Sequence, residues 1–326
     1  MTARRALPWL LLAAAVAVDV SSEVPHPRRS TPPEPIAASS AAMTTPSATD
    51  RFPTARGELV VSPLEHATVL LGWNGLAIYV DPTSPAIDHA ELPRADVVFL
   101  TDIHFDHLDP VVVARLSQPG TVVVGPAAAA DRTHVDVVLA NGEARDVRGI
   151  GVTAVPMYNV TRGPAPGLLY HPRGRGNGYV LDLGGTRVYF SGDTECTPEM
   201  KALERIDLAF VSMSLPTTMP PSEAAQCALA FHPRVLIPYH DRWADLAPLE
   251  QALAGSGIDL RARDLYPRAE QKRREAVVFC EKHQWGICRD RLDEARELDP
   301  RMEDRPDVRR MRDQIAYAMA PYRIPM

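Results

Sequence analysis

From Leu59 to about Arg268 the chain repeats one pattern: a short apolar run, then turn residues. The runs "LVVSPL", "ATVLLGW", "LAIYVDP", "DVVFLT", "TVVVGP", "VDVVLA", "GVTAVPMY", "GYVLDL", "RVYFSGD", "LAFVSM" and "RVLIPYH" are rich in β-branched and aromatic side chains, so each predicts a strand. Shorter helical candidates, "PVVVARLSQ", "PEMKALER" and "PSEAAQCALAF", are interleaved, the last opened by Pro221 and Ser222 in the manner of a helix start. Many strands with fewer helices bury their apolar faces most economically as two sheets in the middle with helices outside.

The two ends break this pattern. Residues 1–20 carry a basic start (Arg4, Arg5), an apolar stretch from Leu7 to Val18 and small residues at Ala15 and Ala17, which together predict a cleavable export signal. The apolar stretch falls short of the roughly 20 residues that span a bilayer, so no stable membrane span is expected. Residues 21–56 are mostly Pro, Ala, Ser and Thr, too poor in large apolar side chains to offset their ordering entropy, and predict a disordered linker. The main domain is then residues 57–268. Residues 269–326 are charged and helix-forming, a separate extension. Within it "FCEKHQWGICRDRLDEARELDP", Phe279 to Pro300, spaces Trp285, Cys288, Leu292 and Ala295 three and four residues apart and resembles the second half of a tetratricopeptide repeat. A solenoid needs about three such units. A degenerate one implies helices packed on the main domain, or used for self-association or a protein partner.

Composition narrows the function classes. With 45% apolar residues, 23% charged and a formal net charge of −6, the chain has no basic surface for nucleic acid. The four cysteines (Cys196, Cys227, Cys280, Cys288) form no C-x-x-C pair, which weighs against a zinc knuckle or a redox centre. They read as small buried side chains, although export would permit a Cys280–Cys288 disulfide.

The chemistry concentrates in "TDIHFDH", residues 101–107. Alternate side chains of an extended segment share a face, so Asp102, His104 and Asp106 project together from a strand end, and a turn at Phe105–Leu108 lets His107 join them. "YFSGDTE" places Asp193 at the end of another run, with Gly192 allowing a sharp turn, and "LIPYHD" places His240 at the end of a third. Imidazoles and carboxylates together suit zinc, manganese or iron(II). The Gly-rich loop "YHPRGRGNGY", residues 170–179, adds His171, Arg173 and Arg175; its guanidinium groups either recognise a carboxylate or phosphate or belong to a solvated hairpin loop. His66 reads as a structural, hydrogen-bonded histidine and Asp81 as a turn cap.

Taken in order, "HATVLLGWNGLAIYVDP" (His66 to Pro82), "TDIHFDHLD", "VPMYN", "SGDTE" and "IPYHD" resemble the metallo-β-lactamase-fold hydrolases, in the branch similar to the ascorbate-phosphate lactonase, over residues 57–268. The resemblance implies an α/β fold, an αββα sandwich of two mixed sheets between helical layers, with the helical extension at the C-terminus. It also implies one or two divalent ions, Zn or Mn. Carried over by position, Asp106, His107 and His240 would hold one ion, Asp193 would bridge, and His104 would belong to a second. The family's first histidine falls on Asp102 and its later one on Asn159, so both departures strike the same metal site. Asp102 would make that site oxygen-rich, and His171 would be placed to replace what Asn159 lacks.

The function implied is an exported, periplasmic or extracellular hydrolase that uses a metal-activated water on a small-molecule ester, lactone or phosphoester, with Asp106 accepting the proton. Two other readings stay open. One is a phosphodiesterase acting on a lipid or nucleotide. The other is a non-catalytic, metal-stabilised binding protein that recruits a partner through its C-terminal helices.

Overall fold

The computed structural model describes residues 49–83, 92–241 and 244–320, apart from 264, 266, 299, 301, 302 and 304. The predicted export signal and most of the predicted linker lie outside these residues. Two sheets of seven strands each form the centre. The first runs in chain order through β1 (Asp50–Thr54), β2 (Gly57–Glu65), β3 (Thr68–Trp73), β4 (Leu76–Val80), β5 (Val97–Phe99), β6 (Val122–Gly125) and β7 (Val137–Val138). The second runs through β8 (Ala144–Val147), β9 (Ile150–Met157), β10 (Gly176–Leu183), β11 (Thr186–Phe190), β12 (Leu208–Ser212), β13 (Val235–Tyr239) and β14 (Asp259–Leu260). In both sheets the early pairs are antiparallel and the later ones parallel, from β4 to β7 and from β11 to β14.

The side-chain pattern explains the layering. Strands β12 and β13 are buried on both faces, as the run "LAFVS" requires of a parallel strand covered on each side. Leu208 and Phe210 of β12 enter the core between the sheets, whereas Ala209 and Val211 face the outer helices α2 (Pro198–Lys201), α3 (Pro221–Phe231) and α4 (Ala247–Leu253). On the other side α1 (Pro110–Leu116) lays Val112, Val113 and Leu116 over Tyr79, Val98 and Leu100 of the first sheet. The result is the αββα sandwich. Burial of one large side chain such as Phe210 stabilises the sandwich by about 1.5–3 kcal/mol.

One boundary differs from expectation. The folded body begins before residue 57, because β1 lies inside the segment read as linker and pairs with β2. Its single large apolar residue, Phe52, leaves no visible period, and long-range ion pairs from Arg261 and Arg263 to Asp50, each at 2.7 Å, hold it. The C-terminal extension is three helices, α5 (Pro267–Glu281), α6 (Trp285–Leu298) and α7 (Pro306–Ala318), joined by a small core of their own. Cys288, Leu292 and Ala295 form the buried face of α6, as their spacing implied.

The cysteines are not merely small buried groups. Cys196 is bonded to Cys227 and Cys280 to Cys288, the first pair tying the segment after Asp193 to α3. Among the described residues no helix is long and apolar enough to cross a membrane.

Candidate metal centre

Strands β4, β5, β9, β11 and β13 all end at one edge of the sandwich, where β10 begins and the β2–β3 turn lies. The chemistry-bearing residues sit in the loops there. After β5 the amides of His107 and Leu108 both donate to the His104 carbonyl, at 3.0 and 2.9 Å, which makes the predicted turn. Asp109 then caps α1 by accepting from the amides of Val111 and Val112. After β11, Gly192 takes φ 61°, and a Cβ there would lie 2.4 Å from Met157 Sδ; only glycine lets the chain turn to present Asp193. His66, Asp81 and His240 are non-glycine residues at φ 56°, 46° and 47°. Three such left-handed positions in one site amount to stored backbone strain that the surrounding structure offsets.

The side chains converge as two groups. In the first, His107 Nε2 lies 3.3 Å and His240 Nε2 3.5 Å from Asp193 Oδ1, and His240 Nε2 lies 3.4 Å from Asp106 Oδ2. In the second, His171 Nε2 lies 3.3 Å from His104 Nδ1, 3.4 Å from Asp193 Oδ2 and 3.8 Å from Asp102 Oδ2. These are the separations of donor atoms around a shared ion, and Asp193 gives one oxygen to each group. Asp193 therefore stands between them.

Hydrogen bonding supports the fit to a cation. His107 Nε2, His240 Nε2 and Asp193 Oδ1 are buried without a hydrogen-bond partner, an arrangement that costs about 1–3 kcal/mol for each atom unless something else satisfies it. A divalent ion bound by imidazole and carboxylate donors would satisfy all three at once.

Behind the donors stand residues that aim them. Asp81 Oδ2 lies 2.8 Å from His107 Nδ1 and so turns Nε2 toward Asp193. Asn159 Oδ1 does the same for His171, at 2.7 Å from Nδ1, and also accepts the His171 amide at 2.8 Å. Glu195, buried, fixes Asn159 in turn by accepting from its Nδ2 at 3.0 Å. His66 Nε2 lies 3.1 Å from Asp106 Oδ2, its ring 4.0 Å from that of His240.

The charges follow. Burial opposes charge on His107, but Asp193 and Asp81 outweigh it and hold the imidazole well above its usual range. Burial likewise opposes ionisation of Asp193 and Asp106, but the surrounding histidines overcome it and keep both carboxyls well below theirs. His66 is pushed down to about 3, by burial first and by His240 next, and stays neutral.

Residues 61–240 match the family model of the beta-lactamase superfamily domain. The chain belongs to this superfamily. It is 38% identical to a candidate metal-dependent hydrolase of known structure from Parabacteroides distasonis, covering 67% of this chain and 99% of that one with a TM-score of 0.64. It is also 29% identical over 232 residues to a UPF0173 metal-dependent hydrolase of Anaeromyxobacter dehalogenans, which spans 64% of this chain and 81% of the relative. A metallo hydrolase from Ignicoccus hospitalis shares the fold at 18% identity and a TM-score of 0.52. The protein is a metal-dependent hydrolase of the beta-lactamase superfamily.

Within this superfamily site, Asp102, His104, Asp106, His107, Asp193 and His240 all lie in side-chain clusters that could hold an ion: Asp102–His104–His171, His107–Asp193–His240 and, overlapping the latter, His66–Asp106–His240. The Asn159 carbonyl oxygen is engaged by His171 Nδ1 at 2.7 Å, and it is His171 whose Nε2 faces Asp193 Oδ2, at 3.4 Å. Arg175 reaches Asp102, whereas Arg173 turns away to pair with Glu199 over the Tyr158 ring. His66 and Asp81, read in the sequence as a structural histidine and a turn cap, were not placed at the centre. Their one signal was position, since they close the two ends of the same strand pair, and the left-handed backbone that brings them inward leaves no sequence mark.

Replacing Asn159 with alanine is expected to weaken ion binding at the Asp102–His104–His171 group by about 10–100-fold, the usual cost of losing such a supporting partner. A metal titration reads this directly; unchanged affinity would show that His171 is aimed without it.

Proposed function

We propose that the protein is an exported hydrolase that holds divalent ions, Zn or Mn, between its two groups and acts on a small ester or lactone. The observation that carries this reading is Asp193, whose two oxygens face different imidazole groups. An ion held there would supply a water of lowered pKa and polarisation of the scissile carbonyl. His107, His240, Asp193 and Asp106 would hold one ion, and His104, His171, Asp102 and the other oxygen of Asp193 a second. Asp106, partly exposed and held ionised, is an acceptor that orients the attacking water; its low pKa makes it a weak proton store.

Three features favour an ester or lactone over a phosphoester. Arg173 and Arg175, the cations that would grip a phosphate, already carry carboxylate partners. Phe105, next to His104, is 81% exposed, and Leu168 and Leu169 are exposed on the loop that leads to His171. Apolar side chains at the mouth suit an organic acyl or alcohol portion. The complete donor set weighs against a purely structural role. Export is supported by the two disulfides, which persist in oxidising compartments, together with the basic-apolar leader.

The test is hydrolysis of an ester, lactone and phosphodiester panel by purified protein, before and after chelation and with Zn or Mn restored. Metal-dependent turnover of esters or lactones is expected. Metal binding without turnover of any panel member would favour the binding-protein reading, and turnover confined to phosphodiesters would favour the nucleotide or lipid one.

A further inference from the structure

Asp102 carries a partner that the metal chemistry does not call for. Arg175 approaches it through two bonds, Nε to Oδ1 at 3.1 Å and Nη2 to Oδ2 at 3.0 Å, the bidentate fork of a guanidinium on a carboxylate. The Asp102 side chain is fully buried and that of Arg175 only 20% exposed, so solvent screens the pair weakly. The backbone holds the guanidinium there. The Asn177 amide donates to the Thr101 carbonyl at 2.9 Å, locking the start of β10 to the Asp102 strand end. Gly176 permits that approach, since a Cβ on it would lie 2.7 Å from the same carbonyl.

The same Asp102 oxygen that receives Nη2 also faces His104 Nδ1 at 2.8 Å and the Nε2 of His171. It is the oxygen an ion would use. Arg175 Nη2 lies a further 3.4 Å from His104 Nε2, on the outer side of that ring. A fixed positive charge therefore stands directly behind one metal position. Among the described residues no such cation pairs with the carboxylates of the other, where Asp106 and Asp193 face His107 and His240, and where Asp81 adds a further carboxylate behind His107.

We propose that Arg175 sets the ion affinity of the Asp102–His104–His171 position. Its guanidinium cancels the charge of Asp102, so this position fills second and more weakly than the His107–Asp193–His240 position. The inference rests on the reading of the site as a metal centre. Asp102 and Arg175 together replace a neutral imidazole with a neutral pair, and the pair is adjustable in a way that an imidazole is not. Removing the cation would leave an uncompensated carboxylate facing the ion, and attraction between opposite charges in a weakly screened site is large enough to change affinity by tenfold or more.

The experiment is calorimetric titration of the metal-free full chain with Zn(II) and, separately, Mn(II). Native protein is expected to bind in two steps, the second at least about tenfold weaker. In Arg175→Met and Arg175→Gln the second step is expected to tighten by about tenfold while the first stays put. Arg175→Lys keeps the charge and is expected to keep the native gap. Circular dichroism of each metal-free variant checks its fold, and two uncharged replacements guard against failure of one to fold. Two equal steps in native protein, or a second step that weakens or stays unmoved in both uncharged variants, would overturn the role of Arg175 and leave the metal reading intact. A native chain that takes up neither ion would overturn the metal reading itself.

Discussion

Asp193→Ala is expected to lose hydrolysis roughly a thousandfold or more and to lose ions from both positions. The reason is geometric: Oδ1 faces His107 and His240, and Oδ2 faces His171, so one substitution strips an anionic donor from each group. A bound ion is worth several kcal/mol of transition-state stabilisation, and each 1.36 kcal/mol is a factor of about ten in rate. Ester turnover and metal content by mass spectrometry, measured on the same preparation, check it. If Asp193→Ala kept two ions per chain, the bridging assignment would be wrong. Contrast with Asn159→Ala sharpens the test, because that change acts through His171 alone.

The second large effect is on stability. The metal-free centre keeps partnerless buried donors, so an ion that binds only the folded chain stabilises it by mass action, about 4 kcal/mol at a thousand times its Kd. That corresponds to a Tm increase of roughly 8–16 °C, reversed by chelation. The increment also depends on pH, and the sign follows from His107. Without metal its pKa is raised above the unfolded value, so its contribution is complete below about pH 6.5 and is lost as pH climbs through the raised value. An ion requires the neutral imidazole, so the loaded protein lacks this loss and uptake releases the proton. The metal-induced Tm increment is therefore expected to grow from pH 6.5 upward. Scanning calorimetry with and without chelator across that range measures it, and an increment that shrank with pH would contradict the charged state assigned to His107.

Much of the sandwich was legible because its strands are short and both-sides-buried, and apolar runs such as "LAFVSM" advertise that directly. The clustering of imidazoles and carboxylates at strand ends was legible for the same reason: "TDIHFDH" and "LIPYHD" attach chemistry to the end of an obvious strand. What stayed hidden was of three kinds. Strand β1 has one large apolar residue and is held by arginines more than 200 positions away, a contact with no local trace. Asp81 reads as a turn residue because it is one; its second duty to His107 exists only after β4 and β5 pair. The cysteine pair next to Asp193 was hidden likewise, since Cys196 and Cys227 meet only when α3 packs on the second sheet.

The contact between His66 and His240 carries one more consequence. The His240 amide donates to the His66 carbonyl at 3.1 Å, joining a turn of the first sheet to a strand end of the second. Four donors come from the Asp102–His107 loop, but the others, His171, Asp193 and His240, lie far along the chain, so no local segment can gather the whole set early. Such high contact order makes for slow folding, and it places ion capture at the end of the route, once the halves have docked. On this topology an ion would not serve as a nucleus for the chain; it would act as a latch, closing on molecules whose two sheets have already met and leaving misassembled ones unsecured.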